Sequence, residues 1–206
     1  MLDIIRASKT LYYNNIDQTG LRPTKEELMP RLFFGLEIPE SIKTSVLTVK
    51  TDIKGARWQS EAQLHLTLAF LGEVESEQVT QARDNARKVA HTPFELEAAG
   101  LGCFGKEESP KILWAGVSPE AELRGLQRTL AQRLINDGFT LQNPSFKPHI
   151  TLSRFRAGAG SVAELIERYR STRFGSWSVQ EFALFESTPG QSGSVYTVLE
   201  RYPLNA

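Results

Sequence analysis

His65-Leu66-Thr67-Leu68 and His149-Ile150-Thr151-Leu152 follow one pattern, His-apolar-Thr-Leu, in a chain that has three histidines. Alternation of this kind reads as a half-buried strand, because side chains on a strand point to opposite faces with period two. Histidine and threonine then share one face of each strand, and the apolar neighbours take the other. The repetition extends outward from the motifs. Leu32-Phe33-Phe34-Gly35-Leu36 is an apolar strand, Pro39-Glu40 opens a helix in which Ile42, Val46 and Val49 recur at helical spacing, and the His65 strand follows. Ile112 to Val117, Pro119-Glu120 and the stripe Leu123, Leu126, Leu130 and Leu134 repeat that order ahead of the His149 strand. Pro39 precedes His65 by 26 positions and Pro119 precedes His149 by 30, the spacing of one unit used twice with a longer second loop. This organisation predicts a bilobal, pseudo-twofold α+β fold, with largely antiparallel sheets flanking a central cleft and helices on the outside.

The remaining segments fit around the repeat. Lys54 to Trp58 is expected as a connecting loop, and Ser76 to about Ala90 as a helix with Val79, Ala82, Ala86 and Val89 on one face. Phe94 to Ala98 alternates as a strand, and Val162 to Tyr169 is a short helix. Ser178 to Phe185 and Val195 to Leu199 are strands joined through the turn-rich Thr188 to Gly193. Residues 1–30 differ in character, with scattered Asn, Asp, Gly and Pro, and read as an N-terminal extension with no assigned role. A short helix is expected there from Thr24, since Glu26 and Glu27 favour a helix start.

Composition removes several function classes. Lys plus Arg and Asp plus Glu are both 24, so a long nucleic-acid footprint is not expected, although a short basic groove is compatible. One cysteine, Cys103, allows no intrachain disulfide and, with three histidines, makes no plausible catalytic metal set; no metal or other cofactor is expected. Neither a phosphate-loop string nor a dinucleotide fingerprint is present, which argues against ATP or NAD dependence. No apolar run approaches the roughly 18 residues of a membrane span, and the N-terminus lacks the apolar core of a secretion signal. A cytoplasmic, monomeric protein without a membrane partner is the expectation.

Two strands brought side by side would surround one cavity with two imidazoles and two hydroxyls. Imidazole titrates near neutrality, so one can accept a proton while the other donates, and threonine hydroxyls can donate to an anion. That set suits phosphoryl transfer without a metal. Either histidine alone reads as a satisfied core residue; the matched pair does not, because period-two patterning asks for nothing polar at both places twice. His91 has no threonine partner and follows a helix, so it is assigned a structural or surface role. Phe33, Phe34, Trp58 and Phe146 are candidates to stack on a base, although any one of them alone is more simply core.

At these motifs the sequence resembles the two-histidine phosphoesterase superfamily, and within it the bacterial RNA 2′,3′-cyclic phosphodiesterases also called 2′-5′ RNA ligase-like proteins. The resemblance rests on Arg31 to Leu36, on His65-Leu66-Thr67-Leu68-Ala69-Phe70-Leu71-Gly72, and on Phe146-Lys147-Pro148-His149-Ile150-Thr151-Leu152-Ser153-Arg154. It covers residues 31–206, read as a two-histidine phosphoesterase domain of two interleaved lobes. The resemblance implies hydrolysis of a 2′,3′-cyclic phosphate at an RNA 3′ end to a 2′-phosphomonoester without a metal. It also implies reversible 2′-5′ joining of tRNA halves. Carried over by residue, His65 and His149 are the catalytic pair, Thr67 and Thr151 bind phosphate, and Arg154 matches a basic position just after the second motif; Phe34 and Phe146, from the stacking candidates, complete the expected substrate contacts. The resemblance makes His149 the base and His65 the acid, roles the sequence itself leaves open. Arg154 lies five positions from His149 and should point away on a regular strand, so its role requires a bulge. Other classes remain: an RNA-end or nucleotide-binding module with little turnover, or a phosphodiesterase for small cyclic nucleotides or ADP-ribose cyclic phosphate.

Overall fold

In the computed structural model, residues 29–141, 146–191 and 193–205 are described; the helix expected from Thr24 lies outside them. The first unit comprises β1 (Arg31–Glu37), α1 (Glu40–Leu47), β2 (Ala56–Trp58), a 3-10 turn at Glu61–Gln63, β3 (His65–Glu73) and α2 (Ser76–Arg87). The second comprises β4 (Phe94–Lys106), β5 (Ser109–Ser118), α3 (Glu120–Asn136), β6 (His149–Phe155), α4 (Ala163–Arg168) and β7 (Arg173–Val179). A closing hairpin, β8 (Glu181–Gly190) and β9 (Gly193–Pro203), completes the chain. The fold is α+β, as the repeat predicts.

Two antiparallel sheets result, a four-stranded one in the order β3-β1-β8-β9 and a five-stranded one in the order β2-β6-β5-β4-β7. The units exchange strands. β2, from the first unit, pairs with β6 of the second, and the C-terminal hairpin returns to pair with β1. Strand β3 is therefore an edge, β6 is covered only by the three-residue β2, and the two motif strands approach each other between the sheets.

The helices seal the apolar faces. Ile42 and Val46 of α1 are buried, with Ile42 set over Gly175 of β7, where a Cβ would lie 2.7 Å from the isoleucine's terminal carbon. Leu123, Leu126, Leu130 and Leu134 of α3 are all 0% exposed, each worth about 1.5–3 kcal/mol of transfer free energy. Residues of both sheets and all four described helices merge into one core. A small separate cluster, Phe33, Ala183 and Phe185 with Phe70, Tyr196 and Val198 against it, lines the cleft side of the four-stranded sheet.

Four expectations need correction. Ala56–Trp58 is a strand rather than part of a loop, because its backbone completes the outer side of β6. β4 runs on through Gly100 and Gly102 to Lys106, well past Ala98. Glycine is required at 102, where a Cβ would meet the Trp114 ring at 2.2 Å. The single strand expected over Ser178 to Phe185 is two: the chain leaves the five-stranded sheet at Val179, passes Gln180 and enters the other sheet at Glu181. Finally, Phe34 is 0% exposed and packs at 6.1 Å from both Phe182 and Tyr202 in the main core, so it cannot contact substrate; period two turns its neighbour Phe33 to the cleft side instead.

Candidate active site

Strands β3 and β6 carry the same irregularity at the same motif position. On β3, Gly35 faces Thr67 and Phe34 faces Ala69, which leaves Leu68 as an extra residue. On β6, Trp114 faces Thr151 and Leu113 faces Ser153, which leaves Leu152 extra. Each bulge reverses the alternation, and consecutive residues, Leu68-Ala69 and Leu152-Ser153, become buried. His65, Thr67 and Phe70 then share one face, as do His149, Thr151 and Arg154. The bulge that parity demands for Arg154 is present. Its counterpart in the first motif is Phe70, over whose ring the Arg31 guanidinium sits at 4.9 Å.

Both imidazoles are held by main chain two residues upstream. His65 Nδ1 lies 2.8 Å from the Gln63 carbonyl and His149 Nδ1 lies 2.7 Å from the Lys147 carbonyl. A carbonyl only accepts, so Nδ1 carries the proton in each neutral ring and Nε2 is left as the working nitrogen. His65 Nε2 lies 3.1 Å from Thr67 Oγ1, whose hydroxyl donates to the neutral ring. Gln63 is fixed in turn: its Oε1 accepts the Ser60 amide at 2.9 Å and its Nε2 donates to the Ser194 carbonyl of β9 at 2.8 Å. One side chain thereby ties the His65 support to the rim of the closing hairpin. Glu37, the register neighbour of His65, is taken up by the Arg201 guanidinium at 2.6 and 3.0 Å.

Aromatic rings surround each histidine. His65 lies 4.8 Å from Phe33, 4.8 Å from Tyr196 edge-on and 6.2 Å from Phe185. His149 packs edge-on to Phe104 at 4.9 Å and lies 6.3 Å from Trp114. Burial in this apolar nest lowers the pKa of His65 to about 4, against a smaller upward pull from the Gln63 carbonyl; Arg154 and His149 lower it further. Burial also lowers the pKa of His149, again opposed by its carbonyl partner and assisted by Arg154 and then Lys147. Arg154 therefore acts on both imidazoles, and both rings are neutral at pH 7 in the free protein.

A stability prediction follows from the sign of the His65 shift. With a pKa of about 4 in the folded chain and 6.5 unfolded, protonation favours unfolding, so this contribution is present above pH 6.5 and lost as pH falls toward 4. The expected result is that His65→Asn flattens the acid side of the Tm-against-pH curve relative to wild type, by up to about one proton in slope. Parallel curves between pH 6.5 and 4 would show that the imidazole is not held neutral.

The other candidates have structural partners of their own, and Trp58 borders the second motif, opposite Ser153 of β6. Phe146 leans on the core and beneath the Arg124 guanidinium at 5.9 Å, and its carbonyl accepts from Arg124 Nη1 at 2.8 Å. The Trp58 indole donates to the Thr51 carbonyl at 3.0 Å. His91 bonds through Nδ1 to the Thr92 carbonyl and faces Glu122, in the first turn of α3, at 3.8 Å. Sequence reasoning missed Gln63, in the 3-10 turn just ahead of His65, and Phe104, Trp114, Phe185 and Tyr196, which pairing between strands distant in the chain brings beside the imidazoles. Among the described residues no group of three His, Cys, Asp or Glu side chains gathers as a metal site, and no helix is long and apolar enough to cross a membrane.

Comparison with known proteins bears directly on this pair of strands. Residues 39–191, which span both motifs, match the 2′-5′ RNA ligase superfamily. This chain belongs to that superfamily. Among its curated relatives, the RNA 2′,3′-cyclic phosphodiesterase of Archaeoglobus fulgidus is 31% identical over 169 residues, covering 81% of this chain and 96% of the relative. The Thermus thermophilus protein of the same name is 33% identical over 185 residues, covering 84% and 90%. Of solved structures, TT0787 of Thermus thermophilus superposes with a TM-score of 0.73 at 31% identity, over 85% of this chain and 98% of its own. E. coli LigT complexed with 3′-AMP also gives 0.73, at 27% identity over 86% and 99%.

Proposed function

We propose that this protein is an RNA 2′,3′-cyclic phosphodiesterase that opens the cyclic phosphate at an RNA 3′ end to a 2′-phosphomonoester by two-histidine acid–base catalysis. The observation that carries the reading is the contact between β3 and β6, which bear His65-x-Thr67 and His149-x-Thr151, with the Leu152 bulge placing Arg154 on the motif face. The names of the relatives and the nucleotide bound by LigT support the substrate class.

Chemistry follows from the asymmetry of the two rings. His149 is the less deeply buried, so water reaches it, and its neutral Nε2 takes the proton of the water that attacks phosphorus. The P–O3′ bond breaks, and protonated His65 gives its Nε2 proton to the departing O3′. Products are a 2′-phosphomonoester and a free 3′-hydroxyl. An imidazolium of low pKa is a strong acid, and the substrate supplies the condition for forming it: the bound phosphodiester anion offsets the desolvation and the Arg154 field that keep the free ring neutral. Thr67, Thr151 and Arg154 then meet the charge that accumulates on the non-bridging oxygens. Replacing the attacking water by an RNA 5′-hydroxyl gives a 2′-5′ phosphodiester with the same proton transfers, the route to joining paired tRNA halves.

The test is incubation with an RNA oligomer ending in a 2′,3′-cyclic phosphate and with 2′,3′-cyclic AMP, each with EDTA. The expected result is a 2′-phosphate product at a rate unchanged by chelation. Binding without turnover would replace the reading by that of an RNA-end binding module. Loss with EDTA and rescue by a divalent ion would overturn the metal-free mechanism.

A further inference from the structure

The His149 flank of the cleft carries a cation that the proposed hydrolysis does not use. Lys147 is exposed, and its ammonium sits 4.4 Å from the Trp114 ring centroid and 5.7 Å from that of Phe104. These are the two rings that flank His149. A cation over an indole face is attracted by the ring quadrupole, so the ammonium has a defined resting place without a carboxylate. Among the described residues no ion pair engages it.

Two features show which anion such a group fits. The Trp114 ring lies against Gly102, where a Cβ would meet it at 2.2 Å, and the Lys147 ammonium sits over the ring, so the platform carries a charge rather than a bare surface for a base. The charge also lies on the His149 side of the motif pair, over rings that contact His149 and not His65. Arg154 influences both imidazoles, whereas the influence of Lys147 falls on His149. By position, Arg154 shares the His149–Thr151 face of β6 beyond the Leu152 bulge, and Lys147, two residues ahead of His149, stands over the two rings that border that imidazole. A ligand that meets Arg154 with its cyclic phosphate meets Lys147 best with a second anionic group, and in RNA that group is a phosphate.

We propose that Lys147, seated on Trp114 and Phe104, is a specificity-determining residue that binds the phosphate on the 5′ side of the terminal nucleoside, so that the enzyme favours RNA ends over cyclic mononucleotides. The inference rests on the phosphodiesterase reading and names its substrate class. A cyclic mononucleotide with a free 5′-hydroxyl has nothing to place at this position. A dinucleotide ending in a cyclic phosphate has a phosphodiester there, and a 5′-phosphorylated cyclic mononucleotide has a monoester.

The experiment measures kcat/KM of the wild-type chain, Lys147→Gln and Lys147→Arg on those three substrates. In wild type the dinucleotide and the 5′-phosphorylated mononucleotide are expected to exceed 2′,3′-cyclic AMP. Lys147→Gln should lower the ratio of dinucleotide to 2′,3′-cyclic AMP by roughly tenfold, mainly through KM, while Lys147→Arg restores most of it; tenfold corresponds to about 1.4 kcal/mol. The log–log salt dependence of KM for the dinucleotide should become shallower by about 0.7 in Lys147→Gln, the value for one contact to a single strand. An equal loss on all three substrates would overturn the proposal and assign Lys147 a role in holding His149. An unchanged ratio with an unchanged salt slope would also overturn it. If the wild type turned over none of the three, the phosphodiesterase reading itself would fail, an outcome separate from either of these.

Discussion

Replacing His65 or His149 with Ala is expected to lower kcat/KM by on the order of 10²–10⁴-fold apiece on an RNA cyclic phosphate, the range of general acid–base assistance. Both rings act on one transition state, so the double variant should lose less than the product of the single losses. The two roles separate on a substrate with a good leaving group, such as a nitrophenyl phosphodiester, which needs little protonation on departure. His65→Ala should be partly rescued there and His149→Ala should not. The physical basis is the unequal burial of the rings: the deeper, lower-pKa His65 is the stronger acid once protonated, and the less buried His149 is the stronger base within reach of water. Rescue of His149→Ala alone would reverse the assignment. Equal loss by both variants on both substrates would remove it.

Arg154→Met is expected to cost roughly 10²–10³-fold, chiefly in kcat, as for loss of one preorganised donor to a developing anion. The variant keeps most of the side chain's apolar length and removes its charge. It carries a second signature. Arg154 lowers both imidazole pKa values in the free protein, so both should rise toward 6.5 when it is replaced, as read by NMR titration of the ring resonances. A merely structural arginine would slow the enzyme without moving both titrations in the same direction. A loss below threefold with unmoved titrations would exclude Arg154 from the site.

Much of this molecule is legible in its local pattern. The alternation in both motifs, the proline-led helices and the stripe from Leu123 to Leu134 each depend on residues within one or two turns, and the structure reproduces them as β3, β6, α1 and α3. Their duplication was enough to predict two antiparallel sheets around a cleft. The extra residues Leu68 and Leu152 were out of reach, because a bulge is a mismatch of register with a partner strand and that partner lies 30 or more positions away. The same reason hid the strand exchange: Ala56–Trp58 is a strand only because Ser153 to Phe155 offers it a ladder, and β8 and β9 reach the first sheet only by leaving the second at Gln180.

What surrounds the histidines was likewise decided at the tertiary level. Phe33 and Phe34 are chemically alike neighbours, and only the side of β1 on which each falls sends one beneath His65 and the other into the main core. Tyr196, Trp114 and Phe104 sit in apolar runs with nothing to distinguish them until pairing brings them beside an imidazole. By itself, then, the sequence singled out the two histidines proposed to react and the strands that bear them, because those are matters of local period. Their protonation, their tautomers and the turn of Arg154 toward them came from the tertiary structure, since desolvation, a carbonyl at hydrogen-bond distance and a shifted register exist only once distant strands have met.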